Sequence, residues 1–272
     1  MSKKKNRARL IVFLVLALLL TVFSLAAPLL VPNDPTATSA AHMNEGPSAQ
    51  FPLGTDRYGR CVCSRVMMGA RTSIFSAVCI VAVTFVLGSL LGMLAGYYGG
   101  VLDTIIMRLA DILLAFPQMV LAIAVAGILG GGMLNAMIAM SVSAWTLYAR
   151  LARSQVLALK NEAYVSAARL SGCRGFTVMF KYLLPNMLGP LLVNAATQIG
   201  TTMIGVAGLS FLGIGVMEPR AEWGSMINQA RAYIQLNPWP VLAPAAATVV
   251  TVMVFNLLGD SARDYLDVEA RG

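Results

Sequence analysis

Charged residues fall in a few clusters along this chain, and the intervals between them are apolar. No Asp, Glu, Lys or Arg lies between Arg9 and Asp34, and residues 10–30 are almost wholly apolar. A helix needs about 20 such residues to cross a bilayer, so this interval predicts a first span. Residues 72–102 form a second charge-free interval, closed by Gly96-Tyr97-Tyr98-Gly99-Gly100. Residues 112–149 are too many for one crossing, and Gly130-Gly131-Gly132 interrupts them, so the pattern predicts two helices joined by a tight turn. Residues 182–217, starting just after Pro185, predict a fifth span. Residues 232–259, with Pro238-Trp239-Pro240 placing an aromatic at the membrane interface, predict a sixth. The expectation is an all-α polytopic membrane protein with six transmembrane helices.

Composition agrees. Of 272 residues, 58% are hydrophobic and only 12% are charged, about half the usual share; the mean hydropathy is +0.74. A soluble enzyme, a nucleic-acid module and a disordered scaffold are excluded, and no nucleic acid is expected as a partner. The net charge of +8 matters through its placement. With the N-terminus inside, fourteen of the twenty Lys and Arg residues fall in inward segments and six outside, so the basic-loop rule predicts both termini cytoplasmic. The N-terminal Lys3, Lys4, Lys5, Arg7 and Arg9 with Ala26-Ala27 resemble a signal peptide. The apolar run, however, exceeds the usual 7–15 residues, which predicts an uncleaved anchor. The resulting organisation is a tail and first helix (1–31), an extracytoplasmic loop with an interfacial segment (32–71), a five-helix core (72–260) containing a cytoplasmic loop (150–185), and a C-terminal tail (261–272).

The predicted spans two to six carry no ionisable side chain, which disfavours a proton relay or a voltage sensor. No Gly-Lys pair exists for a phosphate-binding loop, so ATP, if it drives the protein, binds a partner chain. His42 is the sole histidine, which excludes a His-Glu-x-x-His zinc site. Gly208-Leu209-Ser210 faintly resembles a membrane serine protease, with Ser210 read rather as a packing hydroxyl. Cys61 and Cys63 with His42 are the candidate soft-metal ligands, set against a packing role. Cys79, Cys173 and most of the sixteen Met residues read as packing. Arg57, Arg60, Arg65 and Arg71, with Val62, Val66 and Ala70 between, predict an interfacial amphipathic helix. Gly88, Gly92 and Gly96 form a small-residue face for close helix approach.

The loop 150–185 is basic, with Arg150, Arg153, Lys160, Arg169, Arg174 and Lys181. Asn161-Glu162 opens a predicted helix through Leu170, Gly172 permits a sharp turn, and a second short helix is expected from Arg174 to Leu184, stopped by Pro185. Small residues Ala163, Ala167 and Ala168 allow another surface to approach. Ser166-Ala167-Ala168, three residues, Gly172, nine residues, then Tyr182-Leu183-Leu184-Pro185 is similar to the EAA loop of permease subunits of binding-protein-dependent ABC importers. Ser166 stands for the usual Glu and Tyr182 for the usual Ile. Leu53-Gly54-Thr55-Asp56, Gly59-Arg60 and Ser64-Arg65 resemble the dipeptide, oligopeptide and nickel branch of that family, with Cys61 where an Asp is usual. So do residues 209–216, Trp223-Gly224 with Met226, and Phe255-Asn256-Leu257-Leu258-Gly259-Asp260 with Arg263-Asp264 and Leu266-Asp267, where Val268 stands for a Pro. The resemblance covers about residues 28–268 and is to the shorter of the two permease chains.

The resemblance implies the ABC type I importer permease fold in a prokaryotic inner membrane, without catalytic residues or a cofactor on this chain. ATP and magnesium would sit on two ATP-binding subunits; a second permease chain would complete a heterodimer in membrane lipid, and an extracytoplasmic binding protein would deliver cargo. Coupling to the ATPases would rest on Glu162, Ala163, Tyr164, Ala167, Ala168, Gly172, Leu184 and Pro185. Ala221-Glu222-Trp223-Gly224 and Cys61 lean the cargo toward nickel or a nickel chelate over small peptides. A self-contained channel or membrane enzyme is the alternative.

Overall fold

The computed structural model describes residues 3–269; residues 1–2 and 270–272, the ends of the expected terminal segments, lie outside the described residues. The described chain runs α1 (Lys3–Leu30), α2 (Val62–Tyr98), α3 (Gly100–Leu114), α4 (Gln118–Leu129), α5 (Met133–Leu159), α6 (Ala163–Leu170), the single turn α7 (Gly175–Thr177), α8 (Leu184–Phe211), α9 (Trp223–Ala230) and α10 (Trp239–Glu269). Among the described residues there is no strand, only an isolated bridge between Thr55 and Cys61.

Among the described residues, four helices are long and apolar enough to cross a membrane: Lys5–Leu30, Val62–Tyr98, Gly175–Phe211 and Trp239–Leu266. A fifth crossing arises if α3 and α4, bent by 91° about residues 115–117, count as one broken span. That bend departs from the straight third span expected. Pro117 disfavours helical backbone at Phe116 before it, and α4 alone has only 12 residues. The remaining expected span, α5, is not among the long apolar helices; its charge-free part ends at Ala149, and Arg150 and Arg153 follow. Those two arginines pair with α3: Arg153 with Asp103 at 2.5 Å and Arg150 with Asp111 at 2.6 Å. Thus α3 lies clamped across one end of α5.

The breakers act locally, as backbone physics requires. Gly99 and Gly100 (φ 67° and 59°) end α2 and start α3, while Gly130 and Gly132 (φ 78° and 123°) turn α4 into α5. Among the described helices α2 and α5 pack most extensively on one another, and here the small-residue face is used. A Cβ on Gly88 would run into the Trp145 carbonyl, and one on Gly92 into that of Ala149. α8 packs on α10 and α2, and α1 lies along α10 with most of its Leu and Val side chains uncovered, the apolar surface a bilayer would solvate. The expected boundary at residue 72 falls inside α2, and the expected C-terminal tail continues α10 as helix to Glu269.

At the other end from α6, residues 31–61 and 212–238 fold over the helix tips as a cap. Here two arginines of the expected interfacial segment, Arg60 and Arg65, are buried against the cap. α2 begins at Val62, and Arg65 is only 1% exposed and Arg60 3%. Their guanidinium groups converge on one carboxylate: Arg60 Nε donates to Asp56 Oδ2 at 2.7 Å, and Arg65 Nε lies 3.5 Å from the same oxygen. Glu218 Oε1 sits 3.6 Å from both Arg57 and Arg60. Arg65 Nη1 also donates to the carbonyls of Pro35 and Pro219. Arg57, Arg60 and Arg65 thus bind the acids of the cap, while Arg71, further along α2, is exposed.

α9 is the helical part of this cap and packs on α8 and α10. Glu222, fully buried, is its N-cap and accepts from the N–H groups of Gly224 (3.0 Å) and Ser225 (2.8 Å) and from Ser73 Oγ (3.2 Å). Burial pushes this carboxyl above its ordinary range, and the donors pull part of the way back. Trp223 Nε1 donates to the Val66 carbonyl at 2.9 Å, and a Cβ on Gly224 would strike the Ala207 backbone.

Candidate coupling surface

The loop between α5 and α8 is built from a buried seat and an exposed rim. Glu162 takes an extended conformation at the N-cap of α6, where its carbonyl accepts from Ser166 N–H at 3.0 Å while its side chain stays in solvent. In α6 only Val165 and Ala168, three residues apart on one helix face, are buried. They join a core of Val156, Val178, Met179, Leu183 and Met187 contributed by α5, the π-helical stretch Val178–Leu183 and α8. The opposite face holds Ala163, Tyr164, Ser166 and Ala167, all exposed. Burial and the neighbouring Glu162 carboxylate push the Tyr164 phenol up.

Gly172 ends α6 with φ 81°. Its N–H donates to the Arg169 carbonyl at 3.0 Å and Cys173 N–H to that of Ala168 at 3.1 Å, the paired bonds of a Schellman stop. A Cβ there would meet no atom within 4 Å, so the glycine is required by its backbone angle alone. Gly175 fits against the rings of Tyr97 and Tyr98, and Arg169 lies 5.1 Å over the Tyr97 ring. Lys160 Nζ donates to the Gly96 carbonyl at 3.3 Å. The loop is therefore fastened to the end of α2.

Two expectations change. No separate second helix ends at Pro185: α7, the π stretch and α8 form one 37-residue helix, Gly175–Phe211. Leu184 N–H bonds five residues back to Met179. This widened turn lets the ring of Pro185, which has no N–H to give, enter without closing the helix. Ala168 points into the core, whereas Glu162, Ala163, Tyr164, Ala167 and Gly172 lie on the exposed rim with Pro185, and Leu184 is half-buried.

The residues not singled out from sequence are the large apolar ones. Leu170 is 90% exposed and Phe176 65%, and Phe176 stacks on Phe180 with centroids 5.0 Å apart. The sequence alone does not separate them from the other bulky apolar residues of the same loop, such as Val165, Met179 and Leu183, which are buried. Covering Leu170 or Phe176 completely would contribute about 1.5–3 kcal/mol each. The exposed alanines add little area but let another surface come close.

The other candidate site does not assemble. Cys61 is buried at the start of α2, Cys63 is half-buried, and His42 Nδ1 is 2.9 Å from Glu45 Oε1. Among the described residues no three His, Cys, Asp or Glu side chains come together as a metal set.

Residues 88–271 match the model of the family described as binding-protein-dependent transport system inner membrane component. The glutathione transport system permease protein GsiD of Pectobacterium atrosepticum is 43% identical over 225 residues, 83% of this chain and 75% of that protein. The nickel transport system permease protein NikC of Escherichia coli is 41% identical over 254 residues, 93% and 92% of the two chains. The dipeptide transport system permease protein DppC of Alkalihalophilus pseudofirmus is 38% identical over 266 residues, 97% and 86%. Among solved structures, a chain of the inward-facing MetNI methionine ABC transporter superposes with TM-score 0.54 at 21% identity, over 71% of this chain and 94% of that one, a likeness of fold.

Proposed function

The chain belongs to the family of binding-protein-dependent inner membrane transport components, in its dipeptide and nickel branch, and from that premise we propose that it forms one half of an importer's translocation pathway and is driven through residues 161–185. The observation that carries this reading is the exposed rim of Tyr164, Leu170, Phe176 and Phe180 on a loop fixed to the ends of α2, α5 and α8. A rim free to move alone would transmit no displacement; one fastened to three helices moves them with it.

In this reading α5 and the bent α3–α4 pair complete six spans, and both termini are cytoplasmic. Two ATP-binding subunits, with ATP and magnesium, dock on the rim. A second permease chain supplies the other half of the pathway, and an extracytoplasmic binding protein brings cargo to the cap end. The chain itself catalyses nothing.

The relatives carry glutathione, dipeptide and nickel in their names. The residues that lean toward nickel have structural work instead: Glu222 caps α9 and Cys61 is buried against the cap. A small peptide is therefore the cargo we favour, with nickel or its chelate as the second reading.

Gly172→Pro tests the coupling. Proline cannot adopt φ near 81° and removes the N–H that bonds Arg169, so α6 loses its stop while the seat remains. Expected is membrane insertion with ATP hydrolysis no longer linked to uptake. Wild-type uptake by that variant counts against the loop as the coupling element.

A further inference from the structure

Hydroxyl groups in the spans mostly satisfy themselves. Thr84 donates to the Ile80 carbonyl, Ser141 to that of Met137 and Thr251 to that of Ala247, each at 2.8 Å. Asn135 at the start of α5 donates to the carbonyls of Leu129 and Gly130. Away from the helix ends, three carboxamides do not follow this pattern. Asn194 and Gln198 of α8 are half-buried and Asn256 of α10 is exposed, and among the described residues their side chains have no hydrogen-bond partner.

They lie together. Asn194, Gln198 and Thr201 follow at i, i+4 and i+7, one stripe of a helix, rising about 10 Å at 1.5 Å per residue. This is halfway along the 28 residues of α8. Asn256 belongs to the same level: a Cβ on Gly200 would lie 2.5 Å from its Oδ1, and Gly259 packs on Thr197. Elsewhere the uncovered faces are apolar, as with Leu18, Leu19 and Val22 of α1 and Val83, Val86 and Leu87 of α2. Lipid is a poor neighbour for unbonded amides, because it offers no hydrogen bond in exchange for water. The stripe therefore faces something polar.

We propose that Asn194, Gln198 and Thr201 of α8, with Asn256 of α10, line the translocation path and hand on the backbone amides of a peptide-like cargo. This inference rests on the pore-forming reading above. A carboxamide both donates and accepts, as a peptide group does; no charged residue occurs between residues 182 and 217, and the charge that shares a cavity with Asn194, Arg263 of α10, repels a bare cation. Such a lining offers many weak, exchangeable bonds, which suits passage rather than retention.

The test uses the assembled complex, with its second permease chain, ATPases and binding protein, in proteoliposomes. Cys61, Cys63, Cys79 and Cys173 are replaced by Ala, and single Asn194→Cys, Gln198→Cys and Asn256→Cys variants are exposed to a membrane-impermeant maleimide. Leu192→Cys and Val250→Cys, exposed apolar positions on the same two helices, are the references. Expected is labelling at least tenfold faster at the three amide positions, slowed severalfold by a mixture of di- to pentapeptides and unchanged by nickel chloride. Equal rates at amide and reference positions overturn the proposal. So does protection by nickel without protection by peptides. A complex that falls apart in Asn194→Leu with Gln198→Leu also overturns it, because the amides then belong to a contact with the second chain. If the unsubstituted complex drives no uptake of any cargo with ATP, the permease reading itself fails, which is a separate result from equal labelling in a working transporter.

Discussion

The two ends of the molecule treat their polar and apolar side chains in opposite ways. At the cap, Arg60 and Arg65 are buried and share Asp56, so charge is taken out of solvent and locked. At the loop end, Leu170 and Phe176 are left in solvent, and Glu162, Arg169, Arg174 and Lys181 around them are exposed as well. Burying paired charge yields a rigid element at little net gain in stability. Exposing apolar area stores binding free energy for a partner. The cap thus reads as a fixed fitting and the loop as a contact surface, and substitutions at the two ends should separate stability from coupling.

The largest effect should come from Asp56→Ala. It leaves two buried guanidinium groups without their shared carboxylate, Arg60 keeping only Glu218 at 3.6 Å, a class of change that costs about 3–5 kcal/mol. At roughly 2–4 °C per kcal/mol for a chain of this size, thermal unfolding in detergent should fall by on the order of 10 °C. A Tm within about 2 °C of the unsubstituted chain, by the same scaling, would break the view of the cap as a lock. Replacing Asp56, Arg60 and Arg65 together with Leu, Met and Met sharpens it: this variant should recover part of the loss, since no charge is then stranded.

A smaller effect is expected at Glu222, and it has a sign in pH. Burial raises this carboxyl in the folded state, so the folded chain holds its proton more tightly than the unfolded chain does. The stability that this confers is complete below the ordinary carboxylate range and is lost as pH rises through it toward the raised value. Glu222→Gln does not titrate. It loses one acceptor at the α9 N-cap, about 1 kcal/mol, but its Tm relative to the unsubstituted chain should climb between acid and neutral pH. A flat difference across pH 5–8 would mean that the carboxyl ionises as freely inside as outside.

How much of this could be read before the fold was known depends on how far each cause reaches along the chain. Gly99, Gly130, Gly132 and Gly172 were legible because a positive φ is a local demand that one residue satisfies. The apolar intervals were legible because lipid imposes a length. Pro117 was an available signal for the α3–α4 bend, obscured by the absence of charge around it. Pro185 misled, because its effect depends on a π turn in the residues before it. Nothing local says that Arg65 meets Asp56 and the carbonyl of Pro219, or that Asn256 lies against Gly200. Those are contacts between segments far apart, and the Leu53–Arg65 motif could be matched to a family without its purpose being visible. The coupling rim fell between these cases: its turn was local, but which side chains stay uncovered was decided by the seat.

The smallest effect on stability, and the largest on function, should follow from Leu170→Ser with Phe176→Ser. Both side chains project from the seat rather than into it, so the folded chain loses almost nothing, within about 0.5 kcal/mol as for other surface changes. Tm should move by no more than a degree or two. What is lost is apolar area available to a partner, about 3–6 kcal/mol if both side chains become fully covered on docking. That corresponds to at least a hundredfold weaker association with the ATP-binding subunits, read by co-purification and by the ATPase activity that the membrane complex stimulates. If the double variant assembles with unchanged affinity, the exposed Leu and Phe are not the docking surface. The contrast between the ends would then rest on the cap alone, and attention would turn to Tyr164 and the alanines beside it. If instead assembly fails while the chain melts as before, stability and coupling are carried by different residues at opposite ends of the same helices.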